Sequence, residues 1–144
     1  MSKKQETDIP IEKALSKTLK RAYNIMHVTS NKIFKNSKIT VAQFDMMETI
    51  LLSPEKGLSI QDISKKTVSL QPNTTRMVAD LENAGLVERS SGEDRRTVIV
   101  KVTPKGKSIV TDIQKPLMQS HFDQYQNLNE EEKHQLNELL EKIC

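Results

Sequence analysis

The sequence predicts a mainly α-helical chain with one small antiparallel β-sheet. Three observations carry that prediction. Apolar residues recur at spacings of three, four and seven over most of the length, the mark of amphipathic helices. From Thr97 to Val102 the pattern changes: Val98, Val100 and Val102 point one way, and Thr97, Ile99 and Lys101 the other, as on a half-buried strand. Finally, two apolar arms between Gly85 and Gly106 flank a charged, glycine-containing tip from Ser90 to Arg96, the pattern of a β-hairpin.

The elements follow in order. Met1 to Asp8 is polar and charged and carries no signal-peptide pattern. Pro10 suits the first turn of a helix running from Ile11 to Phe34, where Ile11, Leu15, Leu19, Ala22, Met26 and Ile33 repeat at helical spacing. Thr40-x-x-Gln43 is a capping box that opens a second helix with Val41, Phe44, Met47 and Leu51 on one face, and Ser53-Pro54 stops it. Ser59 caps a short third helix that ends near Thr67, with Asp62 in its first turn, where the helix dipole favours a carboxylate. Pro72 opens a fourth, whose inner face is Met77, Val78, Leu81 and Ala84 and whose stop is Gly85. After the hairpin, Thr103-Pro104 starts a helix through roughly Tyr125, kinked or interrupted at Pro116, with Ile109, Val110, Ile113, Leu117 and Phe122 on its apolar side. Asn129-x-x-Glu132 caps the last helix, with Leu136, Leu139, Leu140 and Ile143 as its buried stripe.

Two helices joined by a short turn, the second followed by a hairpin, is the order of a winged helix-turn-helix. It occupies residues 38–103; residues 1–37 and 104–144 form a helical region, and the whole is one structural domain. The outer helices carry more apolar surface than a domain of this size covers. They either pack on one another or pair with a second copy to make a dimer; the second reading is adopted, because a helix-turn-helix usually reads two half-sites one helical turn apart.

At 144 residues the chain can bury a real core. Lysine and arginine number 22 against 19 acidic residues, a net charge of +3 that by itself says little about partners. The distribution says more: acidic residues gather at Glu130, Glu131, Glu132, Glu138 and Glu141, and basic ones in the N-terminal third and around the hairpin. The single Cys144 excludes an internal disulfide framework and a zinc knuckle. No apolar run is long enough to cross a bilayer, and the cytoplasm is the expected setting. His27, His121 and His134 have no ligand spacing, no metal or other cofactor is expected, and no nucleophile triad, carboxylate pair or phosphate-cradling loop marks an enzyme.

Four motifs stand out: Ile39-Thr40-x-x-Gln43-Phe44, Leu58-Ser59-Ile60-Gln61-Asp62-Ile63, Thr74-Thr75-Arg76-Met77-Val78-x-x-Leu81-Glu82-x-x-Gly85-Leu86-Val87-x-Arg89, and Asp94-Arg95-Arg96 followed by Val102-Thr103-x-x-Gly106. They closely resemble those of the MarR family of bacterial transcriptional regulators. The last two strings at this separation are the specific ones. The resemblance implies a triangular homodimer with a winged helix at each lower corner on pseudo-palindromic double-stranded DNA, with no membrane association. It also implies a repressor released by a small-molecule effector, by cysteine oxidation or by metal ions. The helix holding Thr75 and Arg76 would enter the major groove and Arg96 the minor groove, with Asp94 bracing the wing through salt bridges.

The chemistry agrees with those roles. Gln71 and Asn73 can pair bidentately with adenine and Arg76 with guanine, and Thr75 stands beside them, whereas Thr74 turns toward the core. An arginine is drawn into a narrow minor groove by its negative potential, which suits Arg96, with Arg95 next to it. Lys101, Lys105 and Lys107 are phosphate candidates or plain surface lysines. The peroxide-sensing branch of the family uses a cysteine near the start of the first long helix, and this chain has none there. The alternative function is a winged-helix module that docks proteins and binds little DNA, which would need neither the arginine wing nor the polar helix face.

Overall fold

The computed structural model describes residues 9–53, 57–67, 73–94 and 96–144. Along these, the chain forms α1 (Ile11–Phe34), α2 (Val41–Leu51), β1 (Leu58–Ser59), α3 (Ile60–Lys66), α4 (Thr74–Asn83), β2 (Val87–Ser91), β3 (Val98–Val102), α5 (Pro104–Tyr125) and α6 (Glu130–Glu141). The expected starts of α2, α3, α5 and α6 hold because caps are local chemistry, whereas α4, expected from Pro72, begins at Thr74 because Asn73 caps it. Thr40 accepts the Gln43 N–H at 3.2 Å while Gln43 Oε1 accepts the Thr40 N–H at 2.9 Å. Asn129 and Glu132 repeat the exchange at 2.9 Å in both directions. Ser59 and Thr103 cap α3 and α5 in the same way. Pro116 lies inside α5, which continues through it.

The strands form an antiparallel sheet in the order β1-β3-β2. β2 and β3 are the hairpin, in register from Val87 opposite Val102 to Ser91 opposite Val98. The first arm therefore extends one residue beyond the expected start of the tip. β1 has no counterpart in the sequence reading; it is two residues long, pairing Leu58 with Val100 and Ser59 with Ile99, too short to display an alternation.

The core lies where α2, α3, α4 and α5 close on the sheet. Phe44, Met46, Met47, Ile63, Val78, Leu81, Val100 and Val110 are fully buried, and Phe34 meets Phe44 edge to face with ring centres 5.5 Å apart. On α2 the buried set is Phe44, Met46, Met47 and Ile50; Leu51, expected inside, is exposed. The helix touches α1, α3, α5 and β3, so a wider arc than one stripe is covered, and Leu51 in the last turn falls outside it. Ala84 on α4 is likewise exposed, one step past the last helical residue.

The larger correction concerns the outer helices. The stripe on α6 is not buried: Leu139 is 59% and Ile143 68% exposed, and the helix buries no residue. On α1 only Phe34 is buried, leaving Ile11, Leu15, Leu19 and Tyr23 open, as is Phe122 on α5. Spacing reveals that a helix has an apolar face but not what covers it. At the first turn of α6, the Lys133 ammonium donates to Glu130 Oε1 at 2.7 Å and holds that carboxyl below the usual carboxylate range. That contribution is present at neutral pH and fades as pH falls through the lowered value.

Candidate nucleic-acid interface

The N-terminus of α4 and the tip of the hairpin each expose an arginine of the winged unit, Arg76 and Arg96. Asn73 begins the first, its amide oxygen accepting the Arg76 N–H at 3.2 Å. This is capping work. The same oxygen keeps a second lone pair and the side-chain amide keeps its N–H donors, so capping and the expected pairing with adenine are compatible. Thr74 is 8% exposed and faces the core, as expected, which turns Thr75 and Arg76 outward. Gln71 and Pro72 lie outside the described residues, as does Arg95.

At the hairpin tip, Gly92 N–H donates to the Thr97 carbonyl and Thr97 N–H to the Asp94 carbonyl, each at 2.8 Å. The Asp94 carboxylate accepts the Arg96 N–H at 3.1 Å. Asp94 thus folds the loop over its own backbone, as aspartate does at the start of a turn. Among the described residues the brace is this hydrogen bond and not the expected salt bridge. It leaves the Arg96 side chain exposed beside a groove lined by Ser59, Gln61 and Thr97. Lys101 stands elsewhere, at the hairpin base opposite Glu88, five residues from Arg96 and so about 17 Å away along extended chain.

Three residues near the hinge between α4 and the wing acquire roles that sequence reasoning missed. Arg89 Nε on β2 meets Glu82 Oε2 on α4 at 3.1 Å. Lys105 Nζ donates to the Ala84 carbonyl at 3.0 Å, so this lysine holds a helix end. Thr103 Oγ1 donates to the Gly85 carbonyl at 2.8 Å in addition to capping α5. The motif strings contained Arg89 and Thr103, but partners 7 to 21 residues away leave no local signal.

Among the described residues, no three His, Cys, Asp or Glu side chains gather as they would around a metal ion, and no helix is long and apolar enough to cross a membrane. An α2-α3-α4 unit with a β2-β3 hairpin and an arginine at its tip is a winged helix-turn-helix. A MarR-family sequence profile matches residues 37–97, the span of that unit. The whole fold is similar to that of BpsR from Bordetella bronchiseptica, described with the regulation of its DNA binding by 6-hydroxynicotinic acid (TM-score 0.77, 26% identity, 89% of this chain and 91% of that one). It is equally similar to a point mutant of MarR from Escherichia coli complexed with operator DNA (TM-score 0.76, 27% identity, 91% and 94%). The transcriptional repressor MprA of Escherichia coli strain K12 is 30% identical over 116 residues, 78% of this chain; the chain spans less than two thirds of that relative, 65% of its length. Over residues 37–97 the chain matches the MarR family, and over about nine-tenths of its length its fold is similar to that of MarR itself.

Proposed function

We propose that this chain is a homodimeric, sequence-specific DNA-binding transcriptional regulator, a repressor relieved by a small-molecule effector. The observation that carries the reading is the pairing of two surfaces on one domain. The winged unit has a complete core and presents Thr75, Arg76 and Arg96 to solvent, while the outer helices leave Leu15, Leu19, Phe122, Leu139 and Ile143 uncovered. A second copy would cover the apolar surface and supply the second arginine wing. The likeness to a MarR–operator complex supports the DNA partner. The effector reading is supported by the likeness to BpsR. A groove between the end of α1 and α5, walled by Ile33, Ile109, Ile113 and Pro116 with Lys38 and Asp112 at its polar edge, offers apolar walls and polar anchors to a small organic effector.

Sedimentation at micromolar concentration should give a dimer, and tight binding should need two half-sites about 10 base pairs apart, centre to centre. A stable monomer that holds one half-site as tightly as the palindrome would exclude this reading and favour the protein-docking alternative.

The two arginines should separate by assay. Arg76→Ala should cost about 1–3 kcal/mol on the preferred site and flatten the preference at the base it contacts. Arg96→Ala should weaken binding to many sequences and lower the salt slope by about one unit per subunit. Fluorescence anisotropy on matched and scrambled duplexes across a salt series measures both. If Arg96→Ala leaves affinity and slope unchanged, the wing is only a solvated hairpin.

A further inference from the structure

The C-terminal end of α4 is gripped by the first turn of α5. Gly85 leaves the helix at φ +73°, and the carbonyls of Ala84 and Gly85 are of the kind that a helix end leaves without partners. Both are taken up from α5: Lys105 Nζ bonds Ala84 at 3.0 Å and Thr103 Oγ1 bonds Gly85 at 2.8 Å. The Thr103 N–H adds a bond to the Leu86 carbonyl at 3.0 Å. The ammonium at this end also complements the negative pole of the α4 dipole. The Arg89–Glu82 pair ties β2 to the same last turns, though with both partners partly exposed it adds little strength.

The two ends of α5 therefore do different work. Its start holds the helix that presents Thr75 and Arg76, and the far part of its 22 residues carries Phe122 in the uncovered apolar surface. At 1.5 Å per residue it is a rod about 33 Å long. We infer that Lys105 and Thr103 are positioning residues that lock α4 to α5, so that the dimer interface dictates the half-site spacing the protein accepts. The inference rests on the DNA-binding dimer proposed above. Slack at the grip would loosen the join between the end of α4 and α5 while Val78 and Leu81 stay packed in the core, and the dimer would then tolerate misplaced half-sites better. Lys105 does this with one of its three ammonium N–H donors, so the grip requires no phosphate contact.

The test uses the full chain and the duplex that the wild-type protein selects from a randomised pool. One base pair is then inserted or removed at the dyad, which moves a half-site by about 3.4 Å along the axis and about 35° around it. The wild type should lose about tenfold or more in affinity, and Lys105→Met no more than about threefold, because a loosened α4 follows the displaced site. Lys105→Met should remain dimeric in sedimentation and keep the wild-type salt slope, and Lys105→Arg should restore the full spacing penalty. Thr103→Val should act in the same direction; if the lost α5 cap unfolds it, Lys105→Met decides alone, since its side chain is at the surface. A full spacing penalty in Lys105→Met overturns the inference, and a reduced salt slope overturns it by making Lys105 a phosphate contact. A wild-type protein that selects no duplex, or prefers no second half-site, refutes the DNA-binding dimer first and this grip with it.

Discussion

Leu15→Glu is expected to convert the protein to a monomer and to lower its affinity for a two-half-site duplex by about 10²–10⁴-fold, the range lost when linked binding events become independent. Leu15 is 55% exposed in the single chain, so a carboxylate there is solvated and the winged unit keeps its core. The loss comes only on association, when the charge would have to be buried without a partner in an apolar seam. Ile11 and Leu19, one turn to either side on the same face of α1, are also exposed and continue the apolar stripe. Sedimentation and anisotropy on one preparation decide the matter. If Leu15→Glu stays dimeric and binds as the wild type does, the α1 face lies outside the interface.

Gly106→Ala is expected to destabilise the fold by about 3 kcal/mol, the upper part of the range for overpacking, and to lower the melting temperature by about 10 °C. Two effects oppose each other. Alanine is the better helix former by about 1 kcal/mol, and Gly106 lies in the first turn of α5. Against this, a Cβ at Gly106 would run into the Leu86 carbonyl oxygen and approach Val102 Cγ1 at 2.8 Å. The first obstacle is backbone at the junction of α4 and β2, so it cannot rotate aside as a side-chain end can, and the steric cost wins. Gly85→Ala provides the comparison. Its backbone is in the left-handed region, which costs alanine about 1–2 kcal/mol, but the nearest atom to a Cβ there is Lys105 Nζ at 3.9 Å. Thermal denaturation should therefore rank Gly106→Ala below Gly85→Ala. The reverse order would mean that the α4–β2 junction yields and that close approach is not why glycine stands at position 106.

How much was legible depended on the range of the interaction. Helix starts were, because a cap joins residues three apart: Thr40 with Gln43 and Asn129 with Glu132 are visible as spacings before any folding. The limits of α1, the alternation of β3 and the outward turn of Thr75 and Arg76 against the buried Thr74 follow from the same short periods.

The rest required the chain to fold. β1 exists only because Leu58 and Ser59 come to lie against Val100 and Ile99, some forty residues on. Asn73, a candidate base reader, also caps α4, because the helix begins at Thr74. Lys105, a candidate phosphate contact, also meets a carbonyl 21 residues away. By itself, then, the sequence determined the order of the elements, their caps and which faces are apolar, all set by neighbours within one or two turns. Only the tertiary structure decided which of those faces are covered within one chain and which polar groups find a distant partner. Burial and hydrogen-bond satisfaction belong to pairs of surfaces, and a single amphipathic segment specifies only one member of each pair.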